Sequence, residues 1–259
     1  MHIHTLQKWK HHHRYNIDDG RGERNTRRVI VLTLSMMIIE IAAGYLFGSM
    51  ALLADGWHMG THVMALTITV IAYRYARRHA DLARKLAAKE GSEKSKRELL
   101  EIAAMCEKVP GNPAESFREA VQSQWFTQVG FRFEQMHGGT VGNGRIDQYL
   151  FPYYQKDIAA GRINDDDVME LLELLWLNMA QNVTLQQSGA IFHNEGVPHF
   201  EATTIGGQTT EGLDATNDLT YLVLQSKKEF PLDYPDLAVR IHSRTPNHLL
   251  TKVCELIKE

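Results

Sequence analysis

Between Arg74 and Leu86 the chain changes character with no linker to mark the change. The stretch reads Arg-Tyr-Ala-Arg-Arg-His-Ala-Asp-Leu-Ala-Arg-Lys-Leu. Before it lies apolar sequence of membrane type, and after it a long polar sequence. A chain built this way must satisfy two solvents. The averages over 259 residues hide this, because 44% hydrophobic and 23% charged residues blend the two parts. A net charge of -3 gives no support for nucleic acid as a partner. Cys106 and Cys254 are the two cysteines and form no CxxC pattern. That argues against a disulfide framework and fits a reducing compartment.

Residues 1–28 form a basic tail with His2, His4, His11, His12 and His13 among lysines and arginines. No short apolar core with a small-residue cleavage site follows closely, so the tail is not read as a signal peptide. Such a tract either gathers divalent metal through neutral imidazoles or is a plain basic tail.

Val29 to Phe47 is apolar apart from Thr33, Ser35 and Glu40, which is about one bilayer thickness of helix. Gly48-Ser49 predicts a tight reversal, and Met50 to Tyr73 a second stretch of spanning length. Basic residues precede the first stretch and follow the second at Arg74, Arg77 and Arg78. The positive-inside rule then predicts a hairpin in the inner (cytoplasmic) membrane with both termini cytoplasmic and membrane lipid as its surroundings. Asp55, His58 and His62 share one helix face by their offsets of three and four. Ionisable groups in a membrane are costly, which makes them candidates for function. A His-x-x-x-His pair can ligate one cation, although hydrogen bonding between helices is the structural alternative. Glu40 could face the same interior.

The run Gly-Tyr-Leu-Phe-Gly-Ser-Met-Ala-Leu-Leu-Ala-Asp-Gly-Trp-His-Met-Gly-Thr-His resembles the first two transmembrane helices of the cation diffusion facilitator family. These are proton-coupled exporters of divalent metal ions. With histidine at both positions behind a His-rich tail, it is most similar to the cobalt/nickel-exporting branch. The resemblance implies that His58 and His62 form the second-helix half of a transport site for cobalt, nickel or zinc. It covers roughly residues 1–80. The family uses about six spanning helices, and residues after Tyr73 are not expected to supply the others.

After the seam, Asp81 to Val109 predicts a charged helix or helix pair interrupted near Gly91-Ser92. Leu82, Leu86, Leu99, Leu100, Ile102 and Ala103 suggest its apolar face. Pro113 to Phe133 predicts another helix. Residues 136–154 hold a glycine-rich loop that is not a P-loop, since no Gly-Lys-Ser/Thr follows. Arg145 and Asp147 sit where this loop enters a helix, either as a buried ion pair or as part of a pocket. Asn164 to Asp167 caps a helix through about Met179. Phe200 to Ile205 reads as a buried strand, Thr216-Asn217 caps a helix through Lys228, Leu237 to His242 reads as a second strand, and Thr245-Pro246 opens a last helix. This order predicts a parallel α/β unit. His193, Asn194, Glu195, Arg240 and His242 cluster near strand ends, where α/β proteins place their sites. They form a pocket wall or hold loops together.

This part resembles the glycyl radical enzymes, the pyruvate formate-lyase-like superfamily. The carrying residues are Gly144-Arg145-Ile146-Asp147-Gln148-Tyr149, Gly206-Gly207-Gln208 with Asp214-Ala215-Thr216-Asn217, and Tyr234-Pro235-Asp236-Leu237-Ala238-Val239-Arg240. The wording is most similar to the arylacetate decarboxylase and glycerol/choline/hydroxyproline lyase group. The resemblance implies a ten-stranded barrel, in which a glycine-centred radical generates a cysteine thiyl radical that abstracts hydrogen from substrate. These residues contain neither the Gly-Cys-x-Glu loop of the thiyl cysteine nor an Arg-Val-x-Gly-Tyr-type loop for the radical glycine. The chain is expected to stop just upstream of the cysteine loop.

The sequence therefore predicts a transmembrane α-helical hairpin followed by a mainly helical α/β fragment of a ten-stranded glycyl radical enzyme barrel. The expected division is 1–28 tail, 29–80 hairpin and 81–259 partial enzyme domain. A chimeric or truncated product without complete activity is expected, the alternatives being a membrane-tethered enzyme subunit or a metal-binding membrane protein. The resemblance to both families leaves room for a homodimer.

Overall fold

The structure is a computed structural model that describes residues 21–134, 142–181, 202–232 and 234–258. The two long N-terminal helices are α1 (Arg21–Phe47) and α2 (Met50–Ala87). The reversal falls at Gly48-Ser49. Gly48 takes φ +62°, a left-handed conformation that suits a residue without a Cβ. The Ser49 hydroxyl accepts from the Leu52 N–H and caps α2. Glycines set how closely the helices pack. A Cβ on Gly56 would lie 2.6 Å from Ile41 Cγ1, and one on Gly44 2.8 Å from Leu53 Cγ. The contacts Gly44–Leu53, Ile41–Gly56 and Met37–Gly60 run in opposite senses along the two helices, so the pair is antiparallel.

Among the described residues only α1, over Arg24–Phe47, is both long and apolar enough to cross a membrane. The second spanning stretch expected over Met50 to Tyr73 does not reach that standard. Asp55, His58, Thr61, His62, Thr67 and Thr69 dilute its apolar character.

Helix α2 runs unbroken through the seam. Ala76, Ala80, Ala83 and Ala87 recur at steps of four and three and are buried. They pack with Ala103 and Cys106 of α3 (Glu93–Lys108) and Phe126 of α4 (Phe117–Glu134). The expected apolar face is thereby corrected: Leu82, Leu86 and Leu100 are exposed. Small side chains let the helix axes approach, and the leucines are left on the outer surface. A helix break near Gly91-Ser92 is present, with Ser92 capping α3.

The second core is built on β1 (Gly144–Arg145), α5 (Ile146–Tyr149), α6 (Phe151–Ala159), α7 (Asp165–Gln181), β2 (Ala202–Gly206), α8 (Asp218–Glu229), β3 (Asp236–Arg240) and α9 (Asn247–Lys258). The strands form one parallel sheet in the order β1-β2-β3. The two-residue β1 was not anticipated. It makes β2 a central strand. Register aligns Arg145 with Thr204 and Gly206 with Arg240. Phe117, Ile146, Leu150, Val168, Leu172, Trp176, Ile205, Leu219, Val223 and Leu249 form the core, which packs on the sheet face that carries Ile205, Leu237 and Val239. Reciprocal caps start two helices: Asn164 with Asp167 before α7, and Asn217 with Thr220 before α8. Buried Asp157 joins α6 to α4 by accepting from the Phe117 N–H at 2.7 Å, and it also pairs with Arg162.

Candidate functional site

All three strands end on one side of the sheet, and the predicted polar residues gather there. Asp147 follows β1, Gly206 closes β2, and Arg240 and His242 end or follow β3. Asp147 is fully buried. Its Oδ2 accepts from the Gly206 N–H at 2.8 Å and from the Thr220 hydroxyl at 2.7 Å. Its backbone carbonyl accepts from the Asn217 side-chain amide at 2.9 Å. Its Oδ1 has no hydrogen-bond partner. Burial pushes this carboxyl above its ordinary range, and the Gly206 N–H and Thr220 hydroxyl pull partly the other way.

Arg145 and Asp147 do not form the ion pair that their spacing allowed. Arg145 Nη1 instead donates to the Gln208 carbonyl at 2.8 Å, while its buried Nε and Nη2 make no hydrogen bond. The turn after β2 explains the diversion. Gly206 and Gly207 have φ of +70° and +89°, and this carries the chain over Arg145. A Cβ on Gly207 would sit 3.2 Å from Arg240 Cβ and 3.5 Å from Arg145 Nη2, so the glycine lets both arginines pass.

His242 is held from three sides. Its N–H donates to Thr245 Oγ1, the Arg244 N–H donates to its Nδ1 at 3.1 Å, and its Nε2 lies 3.0 Å from Asp214 Oδ1. With Nδ1 accepting, the proton belongs on Nε2, which donates to Asp214. Arg240 is exposed. His193, Asn194 and Glu195 lie outside the described residues. Asp214, Asn217 and Thr220 were not picked out as site residues. The capping pattern from Asn217 to Thr220 was visible in sequence, but its attachment to Asp147 was not.

Neither cysteine reaches this edge. Cys106 is buried among the alanines of α2 and α3, and burial raises its thiol pKa. Cys254 is an exposed residue of α9.

At the other end of the chain, His58 and His62 stand side by side with ring centroids 4.7 Å apart. Asp55 does not complete a triad with them: among the described residues no group of three or more His, Cys, Asp or Glu could hold a metal. Glu40 has a buried Oε2 without a hydrogen-bond partner.

A parallel sheet with polar residues converging beyond its carboxyl ends is the arrangement in which α/β folds place their binding sites. Residues 60–259 match the pyruvate formate lyase-like family, and the chain belongs to it. Residues 27–83 match the cation efflux transmembrane domain. The two matches overlap on α2, which identifies the chain as a chimera of the two families. It is 60% identical over 187 residues to isethionate sulfite-lyase of Nitratidesulfovibrio vulgaris, covering 71% of this chain and 22% of that one. It is 31% identical over 184 residues to trans-4-hydroxy-L-proline dehydratase of Clostridioides difficile, covering 71% and 23%. Among solved structures, a glycyl radical enzyme from Archaeoglobus fulgidus matches with TM-score 0.70 and 33% identity, over 90% of this chain and 29% of that one. The chain thus spans about a fifth of the length of the curated relatives. The sulfite-lyase is more similar to it than the hydroxyproline and arylacetate relatives that the sequence resemblance singled out.

Proposed function

We propose that the chain is a fusion whose soluble part is a scaffold segment of a glycyl radical lyase, without catalysis of its own, and whose N-terminal hairpin anchors it in a membrane. The substrate class of the parent lyase is small hydroxylated sulfonates and related diols, by similarity to the sulfite-lyases. The observation that carries this reading is the sheet edge. Arg145, Asp147, Arg240 and His242 stand where a substrate pocket would be walled, yet no cysteine of these residues stands with them. Radical chemistry needs a thiol there to take hydrogen from substrate, and a buried helical Cys106 has no path to it. Co-expression of the full chain with a glycyl radical activating enzyme and S-adenosylmethionine under anaerobic conditions should give no glycyl radical signal and no sulfite from isethionate. Either signal would overturn the proposal.

A second reading is favoured by the paired imidazoles. His58 and His62 supply two ligands of a divalent cation site for cobalt, nickel or zinc, binding weakly because a tetrahedral ion needs two more. Cobalt titration of the chain lacking residues 1–28 should lose its signal when both histidines become alanine. Unchanged binding would remove the assignment. In orientation, both helix ends flanked by arginine face the cytoplasm and Gly48 faces outward. Labelling of Gly48→Cys from the cytoplasmic side alone would reverse it.

A further inference from the structure

The antiparallel register fixes more than the packing of the hairpin. The contacts pair position 44 with 53, 41 with 56 and 37 with 60. Continued at the same step, this register sets Arg28 of α1 beside Thr69 of α2. Val29 to Phe47 and Met50 to Ile68 then each rise about 28 Å, close to the hydrocarbon thickness of a bilayer. Beyond that level the surroundings of α2 change. Tyr73 lines a groove of about 450 Å³ with Ser123, Gln124, Thr127, Tyr149 and Tyr153, all residues of the enzyme segment. Lower on α2, Ile68 and Ala72 lie under Gly130 of α4, where a Cβ would stand 3.8 and 3.9 Å from them. Higher up, Phe126 meets Tyr75 and His79, with ring centroids 6.1 and 6.4 Å away. Helix α4 therefore descends along α2 toward the hairpin, and Gly130–Phe131 in its last turns reach the level of Arg28 and Thr69, about one turn before its end at Glu134. There Phe131 is 43% exposed.

We propose that the chain meets an anionic lipid surface at this one level, marked by Arg28, Ile68–Thr69 and Gly130–Phe131, with the end of α4 resting in the headgroup layer. The proposal rests on the membrane reading of the hairpin. It shortens the part of α2 inside the bilayer to Met50–Ile68 and turns residues 69–87 into a stalk. The chemistry of the level suits it. An exposed apolar ring such as Phe131 suits the boundary between headgroups and acyl chains, where surface-bound helices bury Trp, Phe and Leu. Arg24, Arg27 and Arg28 on α1 and Arg74 on α2 lie on its outer side within about one Debye length, and Arg77 and Arg78 follow about 12–14 Å from it, where basic residues are drawn to lipid phosphates. The exposed apolar surface of α1, including Val31, Leu32, Ile38 and Ile39, continues directly below.

The test uses the full chain with Cys106→Ala and Cys254→Ser, carrying one nitroxide label in vesicles of phosphatidylcholine and phosphatidylglycerol. Labels go at Phe131→Cys, at Ile38→Cys in the centre of α1 and at Leu174→Cys on α7. Relaxation by oxygen and by a water-soluble nickel chelate reports depth. Ile38 is expected deep, Leu174 in water, and Phe131 between them, with nickel accessibility at least threefold below that of Leu174. A deep Ile38 with Phe131 as accessible as Leu174 overturns the docking and leaves the hairpin standing. An accessible Ile38 overturns the membrane reading itself. Replacing Arg74, Arg77 and Arg78 by glutamine should raise nickel accessibility at Phe131 while Ile38 stays deep. No change would remove the anionic-lipid part of the proposal.

Discussion

Helix α1 leaves Val31, Leu32, Ile38, Ile39 and Phe47 more than half exposed, while α7 puts Val168, Leu172, Leu175 and Trp176 almost wholly out of solvent. Both helices are apolar, but they use that character differently. The hairpin is held by close backbone approach at Gly44 and Gly56, and its large side chains point away from its partner. The α/β unit is held by large side chains packed between helices and one face of the sheet. The first arrangement suits surroundings as apolar as itself, where burial adds little and close packing decides. The second draws its stability from water being excluded. The contrast predicts that damage to one region should leave the other standing.

The largest effect should come from Trp176. It is fully buried, and its Nε1 donates to Ser226 Oγ at 2.9 Å. Trp176→Ala should destabilise the α/β unit by about 3–5 kcal/mol in denaturant unfolding, with hairpin helicity in detergent retained. Next is Asp147→Ala, which leaves the Gly206 N–H and Thr220 hydroxyl buried without an acceptor. A loss of about 2 kcal/mol is expected. Little change in the unfolding midpoint would mean that water replaces the carboxylate. In the hairpin, Gly56→Leu forces a side chain against Ile41 and should cost about 1–3 kcal/mol. Cross-linking between cysteines placed at 37 and 60, where a Cβ fits, should slow, and the α/β midpoint should not move. A shift in that midpoint would break the contrast.

The smallest effect concerns Lys227, buried over the Trp176 ring with its ammonium 5.3 Å from the centroid. Burial lowers its pKa to about 8, only partly opposed by Asp236. Between about pH 8 and the ordinary lysine value of 10.5, the unfolded chain holds the proton that the folded chain has released. Stability should therefore rise with pH across that window, and the burial penalty is fully present below it. Lys227→Met should raise stability at pH 7 by about 1 kcal/mol and flatten the rise. An unchanged pH profile in the variant would show that another group is responsible.

Local signals carried most of the element order. The Gly48-Ser49 turn, the Asn164 and Asn217 caps and the parallel strands at β2 and β3 were legible because each depends on a few adjacent residues. The strand β1 was not, since two residues carry no alternation to detect. The alanine stripe of α2 was overlooked in favour of leucines, because burial on a helix was judged by side-chain size. At the site, Arg240 and His242 were legible at a strand end, whereas Arg145 and Asp147 were read at a loop entering a helix, and only β1 places them beside the other strand ends. Their partners were not legible. Gln208, Thr220 and Asp214 come from more than 25 residues away, so no local pattern announces them.

The unbroken helix through the seam has a consequence for how such a chain could arise or be altered. Each residue of an α-helix turns the axis by about 100° and advances it by about 1.5 Å. Inserting one residue between Thr69 and Tyr75 would rotate Ala76, Ala80, Ala83 and Ala87 away from α3 and α4 while the hairpin kept its place. An insertion of seven residues, about two turns, would nearly restore the alignment with a lag of about 20°. The seam thus behaves as a geared coupling with few permitted settings. The order of the two sequences is free to vary far less than the absence of a linker would suggest.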